Sequence, residues 1–523
     1  MGGAGNVCIA GENTLDVRRG VIVFVPGVMG SRLHFSSNSA FIPDRAWDPD
    51  SVPAMAQWAG TPAGTMRDWL RVDGDATVSL IETPPVPASE RGWGRGWASR
   101  TDISLTSDQV RRRFGTVALS SYGSFLTRLD ERIANGDFGS GWNLSLYAYG
   151  YDWRQPIEEL GRTLAADLAG GTGGTGVFGT EGLIRREQAD WCILITHSMG
   201  GLVARAALKQ SPQLQQKILG VLHGVQPATG ATVFYRRCIT GAAHPWDGDG
   251  GFRRIIGSDG PAFATVVSGL PGPVNLFPSQ RLAADLATRG ASILTWTRFE
   301  ESRATVHAAA RTIYQHAEGD ERAQPPGIVR SDVPADVRDD LRLRLRQTAA
   351  FHRSISADGR EAGPPWMLEG RTWAFFGDGL PTDSTMHFDL PPQTVQTEVL
   401  GGPYGPAEVM FYGVDPATNR RVYFREREDL QFRGYNPHHG QGLGRPAGRS
   451  ADGDTTVPSY SGAALFGIDA AASISDLTVE PGAVRQFVAR GVEHEPAFQD
   501  SNVVEFTNRW LVHVLSTACR QGN

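Results

Sequence analysis

A mostly parallel α/β architecture, one central sheet with helices on both faces, is what this sequence predicts. Three observations carry the prediction. Val21-Ile22-Val23-Phe24-Val25 and Trp191-Cys192-Ile193-Leu194-Ile195 are short apolar runs, the pattern of strands buried on both faces. Such runs alternate with helical stretches through the chain. Finally, Thr196-His197-Ser198-Met199-Gly200-Gly201 joins a strand to Leu202-Val203-Ala204-Arg205-Ala206-Ala207-Leu208, a run of helix formers without a breaker.

With 523 residues the chain has room for two or three domains or for one large domain with insertions. The spacing favours one domain over 1–523. Its core covers about 18–33, 101–228, 371–384 and 450–523, and cap or lid insertions fall at about 34–100, 229–370 and 385–449. A net charge of −6 and a pI near 6.1 give no electrostatic case for nucleic acid. The densest basic run, Arg111-Arg112-Arg113, reads as a solvated helix face.

In chain order, the Val21–Val25 strand opens into the glycine-rich turn Pro26-Gly27-Val28-Met29-Gly30. From His34 to Arg100 the pattern is irregular and holds Trp47, Trp58, Trp69, Trp93 and Trp97. These tryptophans fit either a lipid interface or the core of the insertion. Regular punctuation resumes with Phe125, Leu126 and Leu129 in a helix and a strand over Leu144–Tyr149. Pro156 starts a helix whose Ile157, Leu160, Leu164 and Leu168 share a face. Ile218–Leu222 reads as the strand after the serine-bearing turn. From Thr229 to Gly370 the pattern turns helical and irregular, and Thr372–Phe376 returns to the sheet. Hairpin strands are expected at Val409–Tyr412 and Arg421–Phe424. Val484–Val488 reads as the last strand, before a helix capped near Asp500 that buries Val503, Phe506, Trp510 and Val514.

A serine between strand and helix is the nucleophile-elbow pattern, in which a tight turn lifts the hydroxyl above the sheet. Small residues are needed there: a side chain at Gly200 would collide with the turn, and Gly201 lets the helix approach the strand. The helix N-terminus puts the Met199 amide where it can stabilise an oxyanion. The turn after the first strand supplies a second amide, for which Val28 is the candidate, with Gly27 and Gly30 shaping the loop.

A nucleophilic serine needs a base, and the base an orienting carboxylate. Asp454, in the compact turn Gly453-Asp454-Thr455-Thr456-Val457-Pro458, is the candidate acid, and Asp452 reads as a plain turn residue. His494, directly after the last predicted strand, is the candidate base. His197 adjoins the serine and is expected to point away, His513 lies in the C-terminal helix, and His438-His439 lacks a third metal ligand nearby.

Taken together, these segments resemble the lecithin:cholesterol acyltransferase-like family of α/β-hydrolases. The matching stretches are Val25–Leu33, Tyr151-Asp152-Trp153-Arg154, His197–Gly201, Leu270–Ser279, Phe376–Thr382 and Gly453–Pro458, in the family's order. The elbow departs from the common pattern in carrying Thr196. The resemblance implies an α/β-hydrolase fold, Ser198 as nucleophile, Asp454 as acid, His494 as base, Val28 and Met199 as oxyanion donors, and a lipid ester as acyl donor. Tyr151-Asp152-Trp153-Arg154 either lies near the site, as in that family, or serves packing and an internal ion pair.

The expected function is therefore a lipid-ester hydrolase or O-acyltransferase working through an acyl-enzyme. A carboxylesterase for non-lipid esters and an idle hydrolase-like scaffold are the alternatives. No metal or organic cofactor is called for, and peripheral membrane contact fits a lipid substrate. The first eight residues lack a basic region followed by an apolar core, and Gly20–Val25 is too short to span a bilayer. These features predict a soluble protein, cytoplasmic or exported by a leaderless route. Of the four cysteines, Cys192 reads as a buried apolar residue, and nothing requires Cys8, Cys238 or Cys519 to be bridged.

Overall fold

The computed structural model describes residues 17–37, 44–83, 104–242, 255–288, 291–299, 304–308, 314, 328–329, 333–355, 368, 370–390, 396–400, 408–415, 420–424, 431–435, 453–474 and 484–521. Its strands, in chain order, are β1 (Arg18–Val25), β2 (Leu33–Ser36), β3 (Arg45–Trp47), β4 (Thr77–Leu80), β5 (Trp142–Ala148), β6 (Trp191–His197) and β7 (Ile218–Gly224). There follow β8 (Leu294–Phe299), β9 (Ala304–Ala308), β10 (Thr372–Asp378), β11 (Thr385–Leu390), β12 (Gln396–Leu400), β13 (Glu408–Asp415), β14 (Arg420–Phe424), β15 (Gln431–Tyr435), β16 (Ala471–Ser473) and β17 (Gln486–Arg490).

Seven of these form the central sheet in the order β16-β17-β10-β7-β6-β1-β5, every neighbouring pair parallel. The pleat sends alternate residues of β1 to opposite faces. Val21, Val23 and Val25 pack with the helices Ile157–Ala169 and Met199–Gln210, and Ile22 and Phe24 pack with Leu119–Ala134 and Ser501–Gln521. Continuous apolar runs are thus the mark of a sheet covered on both sides, as expected. The last helix starts at Ser501, its first turn capped by Asp500, whose carboxylate accepts from the amides of Asn502 and Val503. It buries Val503, Phe506, Trp510 and Val514. Each such side chain withdrawn from water stabilises by roughly 1.5–3 kcal/mol.

The predicted core elements fall in place, with β17 beginning two residues later than read from sequence. The predicted hairpin is the antiparallel pair β13 and β14, with Tyr412 opposite Tyr423. The insertions differ from expectation. Among the described residues of 34–100, regular elements replace the irregular pattern: β3-β2-β4 make a three-stranded sheet, accompanied by the helices Val52–Ala59 and Ala63–Leu70. The region 229–370 also contributes strands. β8 and β9 join β11 and β15 in a four-stranded sheet, so chain from either side of β10 pairs together.

Trp47, Trp58 and Trp69 are buried, which resolves their two readings in favour of the core. The Trp47 ring packs on Trp58 and Trp153, and Arg45 lies over the rings of Trp58 and Trp69. Trp93 and Trp97 lie outside the described residues. In the run Arg111-Arg112-Arg113 only Arg111 is solvated. Arg112 is buried against Asp130, which it holds by two nitrogens at 2.5 and 2.8 Å, and Arg113 reaches Glu82 at 2.6 Å. Cys192 and Cys238 are buried free thiols, and the side chains of Cys8 and Cys519 are outside the described set. Among the described residues no helix is long and apolar enough to cross a membrane.

Candidate active site

Parallel strands all end at one edge of a sheet, so loops far apart in sequence meet there. The turns after β1, β6 and β17 reach this edge, and the turn at 453–458, which carries Asp454, packs against the end of β10. Ser198 follows β6 and precedes the helix Met199–Gln210. Its backbone is held at φ 51°, ψ −125°, a strained conformation for a residue with a Cβ. Its amide donates to the Gly224 carbonyl at 2.9 Å, and its carbonyl accepts from Gly201. The turn is tight because a Cβ on Gly200 would overlap the carbonyl oxygens of Val25 and Pro26. It is therefore Gly200 that lets the helix close on the end of β1. Gly201, expected to let the helix pack close to the serine-bearing strand, abuts the Gln226 side chain after β7.

The fold brings Ser198, His494 and Asp454 together. His494 Nε2 lies 2.8 Å from Ser198 Oγ, and His494 Nδ1 lies 2.8 Å from Asp454 Oδ2. A carboxylate only accepts, so Nδ1 carries the imidazole proton, and Nε2 of the neutral ring is free to accept from the serine. The other Asp454 oxygen accepts from the amides of Thr456 and Val457 at 3.0 and 2.7 Å. Asp454 sits directly over the end of β10, where a Cβ on Gly377 would overlap it. All three side chains are buried, Asp454 at 1% exposure and His494 at 9%.

The loop after β1 lies against Ser198: a Cβ on Gly27 would stand 3.0 Å from the serine Cβ. This loop, with Val28 at its centre, is tied on every side. The Tyr151 hydroxyl donates to the Pro26 carbonyl, Gly27 donates to the Tyr122 hydroxyl, Gly30 donates back to Gly27, and Trp47 Nε1 donates to the Met29 carbonyl at 3.2 Å. Met29 itself has φ 61°. At the opposite side of the serine, Met199 opens its helix, and the N–H of a first-turn residue has no carbonyl one turn earlier to bond.

Sequence reasoning missed several contributors. Tyr122 has no motif around it. Trp47 stood among the tryptophans of an insertion, with nothing to tie it to the loop after β1. Asp50 caps the helix that carries Tyr122, accepting from the amides of Leu119 and Ser120. His197 points away from the serine, as expected, but onto the back of His494: its Nε2 lies 2.9 Å from that residue's carbonyl. Burial, with a smaller contribution from the charge of His494, pushes its pKa down to about 3. Asp152 and Arg154 form the internal ion pair of the packing alternative, and Arg154 also donates to the Leu70 carbonyl. His513 stacks edge-on against Trp373. His438, His439 and Asp452 lie outside the described residues.

No family model matches the chain, and no curated protein matches it either. By structure it is similar to a chain of the solved Tle4–Tli4 complex, with a TM-score of 0.61 and 17% identity over 95% of this chain and 99% of that one. That likeness concerns the fold, and it agrees with the α/β-hydrolase architecture: a mostly parallel sheet covered by helices on both faces.

Proposed function

We propose that this chain is a serine-dependent acyl-ester hydrolase or O-acyltransferase acting on lipid esters, built as one catalytic domain with cap insertions. The observation that carries the reading is the unbroken hydrogen-bonded line Ser198–His494–Asp454 beside a strained elbow. In this reading Ser198 Oγ attacks the ester carbonyl carbon while His494 Nε2 takes its proton. The amides of Val28 and Met199 hold the oxyanion. The tetrahedral intermediate collapses, the leaving alcohol takes the proton from His494, and an acyl-Ser198 ester remains. An acceptor then attacks that ester with His494 again as base. Water gives a free acid, and a lipid alcohol gives a new ester.

The lipid substrate is supported by the ordered motifs shared with the lecithin:cholesterol acyltransferase-like family. An idle scaffold has no use for strain at Ser198 or for a buried, fully bonded Asp454. The test is to incubate wild type and Ser198→Ala with phospholipid vesicles containing a sterol and to analyse the lipids by mass spectrometry. Free fatty acid or sterol ester formed only by wild type is the expected result. Cleavage of small soluble esters without turnover of lipid identifies a carboxylesterase, and silence on both identifies a scaffold.

A further inference from the structure

Two polar side chains behind the site, Tyr122 and His197, are buried among Phe24, Phe125 and Phe498. Burying a hydroxyl and an imidazole in such surroundings is costly unless each polar atom is bonded. Here every one is, and the directions of the bonds follow from donor and acceptor chemistry alone. The His494 carbonyl can only accept, so His197 Nε2 carries the ring proton and donates to it at 2.9 Å. In a neutral ring Nδ1 then has only a lone pair, so the Tyr122 hydroxyl donates to it at 2.9 Å. The oxygen of that hydroxyl accepts from the Gly27 amide at 3.1 Å. A single directed chain therefore runs from the Gly27 N–H through Tyr122 and His197 to the His494 carbonyl.

We infer that Tyr122 and His197 are positioning residues that fix the loop carrying Val28 at a set distance from the base His494. The inference rests on the hydrolase reading above. Both ends of the chain join main-chain groups next to reacting groups: Gly27 precedes Val28, and the carbonyl belongs to the base itself. The neighbouring glycines leave room for it, since a Cβ on Gly27 would stand 2.8 Å from His197 Nδ1, and one on Gly30 would stand 2.7 Å from the Tyr122 oxygen. Displacing an oxyanion donor or a base by a fraction of an ångström acts on the transition state more than on the bound substrate.

The test uses the full chain and a short-chain p-nitrophenyl ester, with Ser198→Ala, Tyr122→Phe, His197→Asn and the double variant. Tyr122→Phe removes one oxygen, and His197→Asn removes the donor to His494. Each single change is expected to lower kcat by roughly 10- to 100-fold with KM within about twofold. The double variant is expected to be no worse than the poorer single one, because the two act as one unit. Wild-type kcat in Tyr122→Phe beside an inactive Ser198→Ala overturns the relay while leaving the hydrolase reading standing. Full activity in Ser198→Ala overturns the hydrolase reading and the relay with it. Losses that simply add, or that appear in KM, also overturn the relay. Nitrogen-15 NMR of histidine in the wild-type protein needs no variant: His197 should show the Nε2–H tautomer, and an Nδ1–H tautomer ends the proposal.

Discussion

His494 and Asp454 are joined twice. Their side chains meet at 2.8 Å, and the His494 amide donates to the Asp454 carbonyl, also at 2.8 Å. The second bond holds the loop of His494 against the turn of Asp454 whatever the carboxylate does. Asp454→Asn should therefore leave the imidazole in place but favour its wrong tautomer, with kcat on an ester falling roughly 10³- to 10⁴-fold. Thermal unfolding within a few degrees of wild type is expected alongside. A large fall in Tm instead would make Asp454 a folding residue.

Glycines 200 and 64 should respond in opposite directions to the same change. A Cβ at Gly200 overlaps two backbone carbonyls, which cannot swing aside, whereas a Cβ at Gly64 meets nothing within 4 Å in the helix Ala63–Leu70. Gly200→Ala should cost several kcal/mol or abolish soluble expression, and Gly64→Ala should stabilise by about 0.5–1 kcal/mol. Denaturant melts of the two variants measure both. Equal behaviour would show that the elbow relaxes around the methyl group.

Trp47 donates from its indole to the Met29 carbonyl in the loop beside Ser198. Trp47→Phe keeps most of the ring packing against Trp58 and Trp153 and deletes that donor. Expected is a loss of roughly tenfold in kcat, smaller than deletion of an oxyanion donor itself. Steady-state kinetics on a soluble ester decide it, and an unaltered kcat means the other ties suffice.

Acid should destabilise the fold through three buried histidines. Burial pushes His197 and His223 down to about 3 and His352 to about 4, from an ordinary value of 6.5. Between roughly pH 6.5 and 4 the unfolded chain binds protons that the folded chain refuses, so stability falls as pH falls through that window. Tm followed from pH 7.5 to 4 should drop steeply below 6.5. His352→Gln, which keeps a donor for the Asn275 carbonyl that His352 now serves, should flatten the slope. A slope unchanged by that substitution assigns the effect to other groups.

Arg236 and Asp383 pair at 2.7 Å with both side chains buried, tying the helix Thr232–Thr240 to the turn after β10. Removing the carboxylate takes the 2.7 Å ion-pair partner from a buried guanidinium. Asp383→Ala should cost about 3–5 kcal/mol, and Arg236→Leu with Asp383→Leu much less. Chemical denaturation of the single and double variants gives the comparison. A double variant as unstable as the single one would show that the pair is worth more than its replacement by apolar packing.

The site was legible because an α/β sheet converts chain order into place. Once Val21–Val25, Trp191–Ile195 and Val484–Val488 read as parallel strands, Gly27, Ser198 and His494 fall at one edge, and Asp454 joins them through the turn at 453–458 that returns to the end of β10. Partnerships between distant segments left no such mark. Nothing local in Leu294–Phe299 announces that it will pair with Thr385–Leu390, because both are short and each is interpretable alone. The same holds for Arg112 and Arg113, whose burial depends on Asp130 and Glu82 arriving from other elements. Tyr122 is one more aromatic in an amphipathic helix until its hydroxyl is seen between Gly27 and His197.

The strand order of the central sheet also sets a timetable. β5, β1, β6 and β7 adjoin one another and are made early, so the half of the sheet carrying Ser198 can assemble while the rest is still being translated. His494 comes 296 residues after Ser198, about 15–60 s later at ordinary rates of synthesis. Until the turn at 453–458 and the loop after β17 dock, Ser198 lacks both Asp454 and His494. On the proposed reading, topology alone withholds activity from the nascent chain.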